Sequence, residues 1–157
     1  MSALADLGAR MLRNRRLVRA PVWLYRARLG ALLGSRMLML EHVGRSSGRR
    51  RYVVLEIIDR PHAGTFVVAS GFGTTAQWFR NICANPRVRV WVGSRGAAPA
   101  TARVLDQAET DRTLGDYRTR HPKYWAQFRP VLEQTLGQSI GDRDIPLPMV
   151  ELRLQQP

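Results

Sequence analysis

Hydrophobic and polar positions along this 157-residue chain follow two different periods. From residue 3 to 18 the period is helical. Leu4, Leu7, Met11, Leu12 and Val18 gather on one side, with Arg10, Arg13 and Arg16 on the other. Pro21 opens a second helix over residues 22–33, carrying Trp23, Leu24, Ala27, Leu29 and Leu33, and Gly34 closes it. From residue 37 the period drops to two. Strands are predicted at Met37–Val43 and Arg51–Asp59 on either side of a turn at 44–49. Pro61-His62-Ala63-Gly64 reads as a turn into a third strand, Thr65–Ser70. A short helix over Thr75–Ala84 ends at Asn85-Pro86. Arg87–Val92 alternates, with Val88, Val90 and Val92 on one face. Pro99–Leu105 is the fifth strand. Asp106 and Glu109 have the spacing of a capping box for a helix running to Arg120. His121-Pro122 breaks that helix and starts another, Lys123–Leu136, and Met149–Leu154 is the last strand.

These elements predict an α+β fold: a six-stranded, mostly antiparallel sheet with flanking helices. Two strand pairs are joined by turns too short for a crossover. Closing six short strands into a small barrel removes exposed edges. The expected organisation is a pair of basic amphipathic helices over 1–36 followed by a barrel domain over 37–157. No linker of biased composition separates them.

Composition adds three constraints. A hydrophobic fraction of 45% suits a globular core, and no apolar run is long enough to span a bilayer. Cys83 is the only cysteine, so no internal disulfide forms, which fits a cytoplasmic protein; between Ile82 and Ala84 it reads as a small core residue. The net charge is +13, almost all arginine, with eight Arg against Asp6 in residues 1–36. Such charge suits nucleic acid, anionic lipid or an acidic ligand. Its clustering in one terminal segment and one turn favours the last two. A long nucleic-acid backbone would want exposed aromatics between the cations, so no nucleic-acid partner is expected. Peripheral contact of residues 1–36 with an anionic membrane is.

The chemistry-bearing segments are few. Gly44-Arg45-Ser46-Ser47-Gly48-Arg49-Arg50-Arg51 is a turn rich in guanidinium groups, hydroxyls and backbone N–H, suited to phosphate or carboxylate. Val68-Ala69-Ser70-Gly71-Phe72-Gly73 is a glycine-rich strand end that can take a flat ring against its backbone. Trp78 and Asn81, three apart, share a helical face. His42 ends a strand beside the basic turn, where a structural role outweighs a ligand contact; His62 reads as an exposed turn residue. Scattered His42, His62 and His121 do not make a metal site. Walker-type, dinucleotide and nucleophile-elbow motifs are absent. Taken together the segments suggest a planar cofactor with an anionic tail.

Read in order, Gly44-Arg45-Ser46-Ser47-Gly48, Val68-Ala69-Ser70, Trp78-Phe79-Arg80-Asn81 and Asn85-Pro86 resemble the deazaflavin-dependent nitroreductase family, which uses coenzyme F420. The resemblance runs from about Met37 to Met149. It implies a split β-barrel and hydride transfer from the reduced deazaflavin to an electron-poor small molecule: a quinone, a nitro compound or an enone. It implies cofactor contacts from Arg45, Ser46, Ser47, Arg49 and Arg51 in the turn, and from Tyr52, Val53 and Val54 on the second strand. Further contacts are implied at Val68, Ala69, Ser70 and Gly71, and at Gln77, Trp78, Phe79, Arg80 and Asn81 on the helix. Tyr124 and Ser70 are the implied catalytic residues. Ser46 and Gly71 stand where the family often has lysine, and Arg49 and Arg51 can supply that charge. The alternatives are an FMN- or haem-binding split-barrel protein and a nonenzymatic deazaflavin carrier, as monomer or homodimer.

Overall fold

A computed structural model describes residues 36–156. The helices expected over 3–18 and 22–33, and the membrane contact expected of them, lie outside the described residues.

Six strands close into one barrel: β1 (Met37–Val43), β2 (Arg50–His62), β3 (Thr65–Ala69), β4 (Arg87–Val92), β5 (Ala98–Val104) and β6 (Met149–Leu154), in the order β1-β2-β3-β6-β5-β4. Every pairing is antiparallel. Alternation along the strands fills the interior. Leu38 and Leu40 of β1 point inward with Val68, Val88, Val90, Val150 and Leu152. The intervening Met39 is fully buried on the other face, against Trp91. That double burial is why β1 reads as a nearly continuous apolar run.

Three helices complete the domain. Helix α1 (Gln77–Ala84), entered through a 3-10 turn at Gly73–Thr75, carries Trp78, Phe79 and Ile82 into the barrel core. Helix α2 (Gln107–Arg120) starts at the expected capping box: the Asp106 carboxylate accepts from the Glu109 N–H at 2.8 Å, and Glu109 Oε2 from the Asp106 N–H at 2.9 Å. Helix α3 (Pro122–Leu136) has proline at its first position and ends on Gly137 at φ 72°. Leu114 and Tyr117 of α2 and Trp125 of α3 pack with Val67 and Met149 on the outside of the barrel.

Two expectations are corrected. Pro61 and His62 belong to β2 rather than to a turn, which shrinks to Ala63-Gly64 with Gly64 at φ 73°. The β2–β3 register slips between Ile57 and Asp59 and again between Asp59 and His62. Pro61 falls in the second slip, where its missing N–H costs no ladder bond. Cys83 is exposed, not core. The buried arc of α1 is made by Asn81, Trp78, Ile82 and Phe79, and at 100° per residue Cys83 lies just beyond its edge.

Candidate cofactor site

The basic turn is a hairpin loop closed by its own backbone. The Gly44 N–H donates to the Arg49 carbonyl and the Gly48 N–H to the Gly44 carbonyl, both at 2.8 Å. Gly48 takes φ 68°, a conformation that favours glycine. Gly44 is required for a different reason. A Cβ there would meet Ser47 Oγ at 2.5 Å and Arg51 Nε at 3.3 Å. The missing side chain lets a hydroxyl and a guanidinium close over bare backbone. Ser47 Oγ also accepts from the Arg49 N–H at 3.2 Å, which leaves Ser46 and Ser47 facing solvent at the loop tip. Gly44, Arg45, Ser46, Ser47 and Arg51 line a cleft of about 260 Å³ with Gln77 and Asn81 of α1. Among the described residues no carboxylate pairs with Arg45, Arg49, Arg50 or Arg51; the ion pairs lie elsewhere. A cleft walled by unneutralised guanidinium groups and hydroxyls fits an anionic group.

Arg45 reaches back to α1 rather than out to solvent. Its backbone N–H donates to Asn81 Oδ1 at 3.1 Å and its Nη1 to the same oxygen at 2.8 Å. Its Nη2 donates to Gln77 Oε1 at 2.9 Å. On the far side of Asn81, Nδ2 lies 3.0 Å from His42 Nδ1. Asn81 and His42 are 2% and 4% exposed. Burial, and then the charge of Arg51, lower the His42 pKa to about 4, so the ring is neutral at physiological pH.

The second predicted segment is built differently. The Ser70 hydroxyl, fully buried, donates to the Gly73 carbonyl at 2.6 Å, and the Gly73 N–H returns to the Ser70 carbonyl at 3.0 Å. This tight turn rests on the C-terminal half of α3: Thr135 Oγ1 donates to the Gly71 carbonyl, and a Cβ on Gly71 would touch Leu132 at 3.4 Å. Tyr124 stands eight residues before Leu132, about 12 Å along the helix. It is 44% exposed, with the Arg36 guanidinium 3.9 Å from its ring centroid and the His121 ring edge-on at 6.1 Å. Phe128, one turn on, and Phe72 are also exposed.

The structure therefore brings Arg45, Ser46, Ser47, Arg51, Gln77 and Asn81 into one cleft, while Arg49 is exposed on the same turn and does not line it. Arg80 is exposed on α1, while Val68, Trp78 and Phe79 face the barrel core and support the site from behind. Val53 packs against that core, and Tyr52 and Val54 lie on the outer face of β2 with Met39 and Trp91. Ala69 packs against the α2–α3 cluster. The sequence reading missed Glu56, Tyr117 and Arg36. Tyr117 Oη donates to Glu56 Oε1 at 3.1 Å. Burial pushes the Glu56 carboxyl up, opposed by Tyr117 and Arg36, and pushes the Tyr117 phenol up to about 12, helped by Glu56. The one available signal was a lone acid among Leu55, Ile57 and Ile58. Among the described residues no cluster of His, Cys, Asp or Glu could hold a metal ion, and no helix is long and apolar enough to cross a membrane.

A closed six-stranded antiparallel barrel, with a cleft of guanidinium and hydroxyl groups at one hairpin, defines a split-barrel protein. A sequence profile of the F420H2-dependent quinone reductase family matches residues 17–147, and the chain belongs to that family. It is accordingly a deazaflavin-dependent reductase whose cofactor is reduced coenzyme F420. No curated protein matches the chain. Among solved structures, an F420-H2-dependent reductase, FDR-A, is similar over 75% of this chain and 94% of its own, at 24% identity and a TM-score of 0.52. The protein Atu2129 of Agrobacterium tumefaciens, of unknown function, matches 88% of this chain and 56% of its own, at 19% identity and a TM-score of 0.56. A pyridoxamine 5'-phosphate oxidase candidate from Listeria innocua matches 85% and 94%, at 11% identity and a TM-score of 0.53. At these identities the likeness concerns the fold.

Proposed function

We propose that this reductase acts on an electron-poor small molecule, a quinone before a nitro compound or an activated enone, and that its two ends divide the work. The observation that carries the reading is the cleft at the 44–51 turn, lined by Arg45 and Arg51, neither of which pairs with a carboxylate among the described residues. Arg49 and Arg51, with the Ser46 and Ser47 hydroxyls, hold the anionic tail of the coenzyme. Tyr52, Val53 and Val54 on β2 and the backbone of Val68–Gly71 border its ring system, with α1 beneath. When bound, the reduced deazaflavin supplies a hydride. The protein's share is to orient, to exclude water and to provide a proton. Tyr124 is the proposed proton donor: its hydroxyl is on an exposed residue beside Phe128, where a flat apolar acceptor can dock. Ser70 acts through the turn that its hydroxyl holds, since that proton is committed to the Gly73 carbonyl. Residues 1–36, carrying eight Arg against one Asp, are proposed to hold the protein at an anionic membrane surface where an apolar acceptor partitions.

Absorbance titration with coenzyme F420 and, separately, FMN, followed by oxidation of the reduced coenzyme with menadione, tests the reading. Preferential binding of F420 and turnover with menadione are expected. Preference for FMN would overturn the cofactor assignment. Binding of F420 without turnover on any acceptor class would make the chain a carrier.

A further inference from the structure

We infer that Asn81 is a positioning residue: its buried carboxamide fixes Arg45, and with it the basic turn, in the one orientation that a neutral His42 ring accepts. The inference rests on the cofactor reading only for what the turn then holds.

The argument is one of donors and acceptors. The Arg45 backbone N–H and Nη1 both donate to a single oxygen, Oδ1 of Asn81. A guanidinium has no acceptor, so the amide cannot turn its NH2 towards Arg45 without setting donors against donors. With Oδ1 committed, Nδ2 must face His42 Nδ1 at 3.0 Å, and that nitrogen must accept. The ring proton then sits on Nε2. A protonated ring would point a second donor at Nδ2. The polarity of the chain Arg45–Asn81–His42 is thus set from its outer end. Asn81 and His42 are nearly sealed from water, so a reversed amide has no solvent to satisfy it.

Charges around His42 favour the same state. Arg51 faces it across the β1–β2 pair and Arg45 stands behind Asn81. From β4 the nearest charge, Arg89, pairs with Glu41, which alternation puts on the other face of β1. From α1 only Asn81 is directed at the ring. Arg45 is consequently a strut between the turn and α1, tied at both branches to Asn81 and Gln77. The other cation lining the cleft, and so left for a ligand, is Arg51, with exposed Arg49 beside it on the turn.

Nitrogen-15 shifts of the His42 ring in the parent protein give the first test: a bare Nδ1 and a protonated Nε2 are expected at neutral pH. Arg45→Met removes the Nη1 bond but keeps the backbone N–H on Oδ1, so the same tautomer should persist in that variant. Asn81→Asp sets a second carboxylate oxygen against the His42 lone pair, and the neutral ring repairs the contact by carrying its proton on Nδ1, so the nitrogen-15 spectrum of that variant should switch tautomer. Asn81→Leu should release Arg45 and weaken F420 binding about tenfold in calorimetry, the equivalent of one lost bond. A proton on Nδ1 in the parent, a His42 spectrum unmoved by Asn81→Asp, or full F420 affinity in Asn81→Leu would each overturn the inference. If Asn81→Asp does not fold, the parent spectrum and the affinity of Asn81→Leu decide it. A parent that shows the expected ring state but does not bind F420 would leave the relay standing and remove the cofactor reading instead.

Discussion

The two ends of the site are held by opposite means. At the hairpin, charge dominates, and the fixed parts are side chains: a guanidinium, a carboxamide and an imidazole bonded in series through the buried end of the barrel. At the 70–73 turn, charge is absent and the fixed parts are backbone carbonyls, tied down by the Ser70 and Thr135 hydroxyls. Tyr124 then stands exposed, held against the Arg36 guanidinium and the edge of the His121 ring. On the proposed reading the contrast makes affinity and turnover separable: a rigid anion cradle would anchor one end of a long ligand, and a softer aromatic surface would meet the acceptor at the other.

The sharpest break in that comparison comes from the cradle. Arg49→Ala with Arg51→Ala removes two charge-assisted contacts, each worth about 1.5–3 kcal/mol, so F420 affinity should fall at least about a hundredfold. The loss should be largest for coenzyme with several glutamates, and kcat at saturation should survive. Calorimetry and steady-state rates check both halves. Loss of kcat without loss of affinity would invert the assignment.

A second effect belongs to the hairpin alone. His42 protonates near 6.5 in the unfolded chain but only near 4 in the fold, because burial and Arg51 oppose the charge. Its contribution is therefore fully present above pH 6.5 and is lost as pH falls from 6.5 through 4, the window in which the unfolded chain holds a proton that the folded ring does not. The loss is at most about 3 kcal/mol. Denaturant unfolding of the parent across that window should show the slope, and His42→Gln should flatten it.

At the other end, Tyr124→Phe keeps the ring and removes the proton. A positioned donor contributes roughly 100- to 10,000-fold, and solvent reaches this exposed hydroxyl, so a drop in kcat at the low end is expected with little change in F420 affinity. Ser70→Ala should be milder, about tenfold or less, because it loosens a turn rather than deleting a donor. If both variants turn over like the parent, the aromatic end plays no part in the chemistry. The smallest effect concerns residues 1–36. The full chain should co-sediment with anionic vesicles, and less so in salt, while a chain starting at Gly34 should not. Equal, negligible pelleting of both would remove the membrane proposal.

How much of this was legible in the sequence follows from the same contrast. Features written in local spacing were readable. The β1, β4 and β6 boundaries were legible locally, β4 from strict alternation, and the Asp106–Glu109 capping box lies within one helical turn. The basic turn was readable as an anion site because its glycines, serines and arginines are contiguous. What depended on distant partners was not. His42 and Asn81 are 39 residues apart, and Glu56 and Tyr117 are 61 apart. Nothing in either local stretch announces the other. Pro61 misled because a proline suggests a turn unless a register slip excuses its missing N–H, and such slips depend on the neighbouring strand. Cys83 misled because a helix face of four buried residues ends within one position of it.

The central claim is that the 44–51 cradle holds the anionic tail of a deazaflavin. Calorimetric titration of the parent with F420 carrying different numbers of glutamates, beside FMN, tests it most directly. Affinity that rises with tail charge, falls with salt and exceeds that for FMN is the expected result. Affinity indifferent to tail length, or greater for FMN, would contradict it.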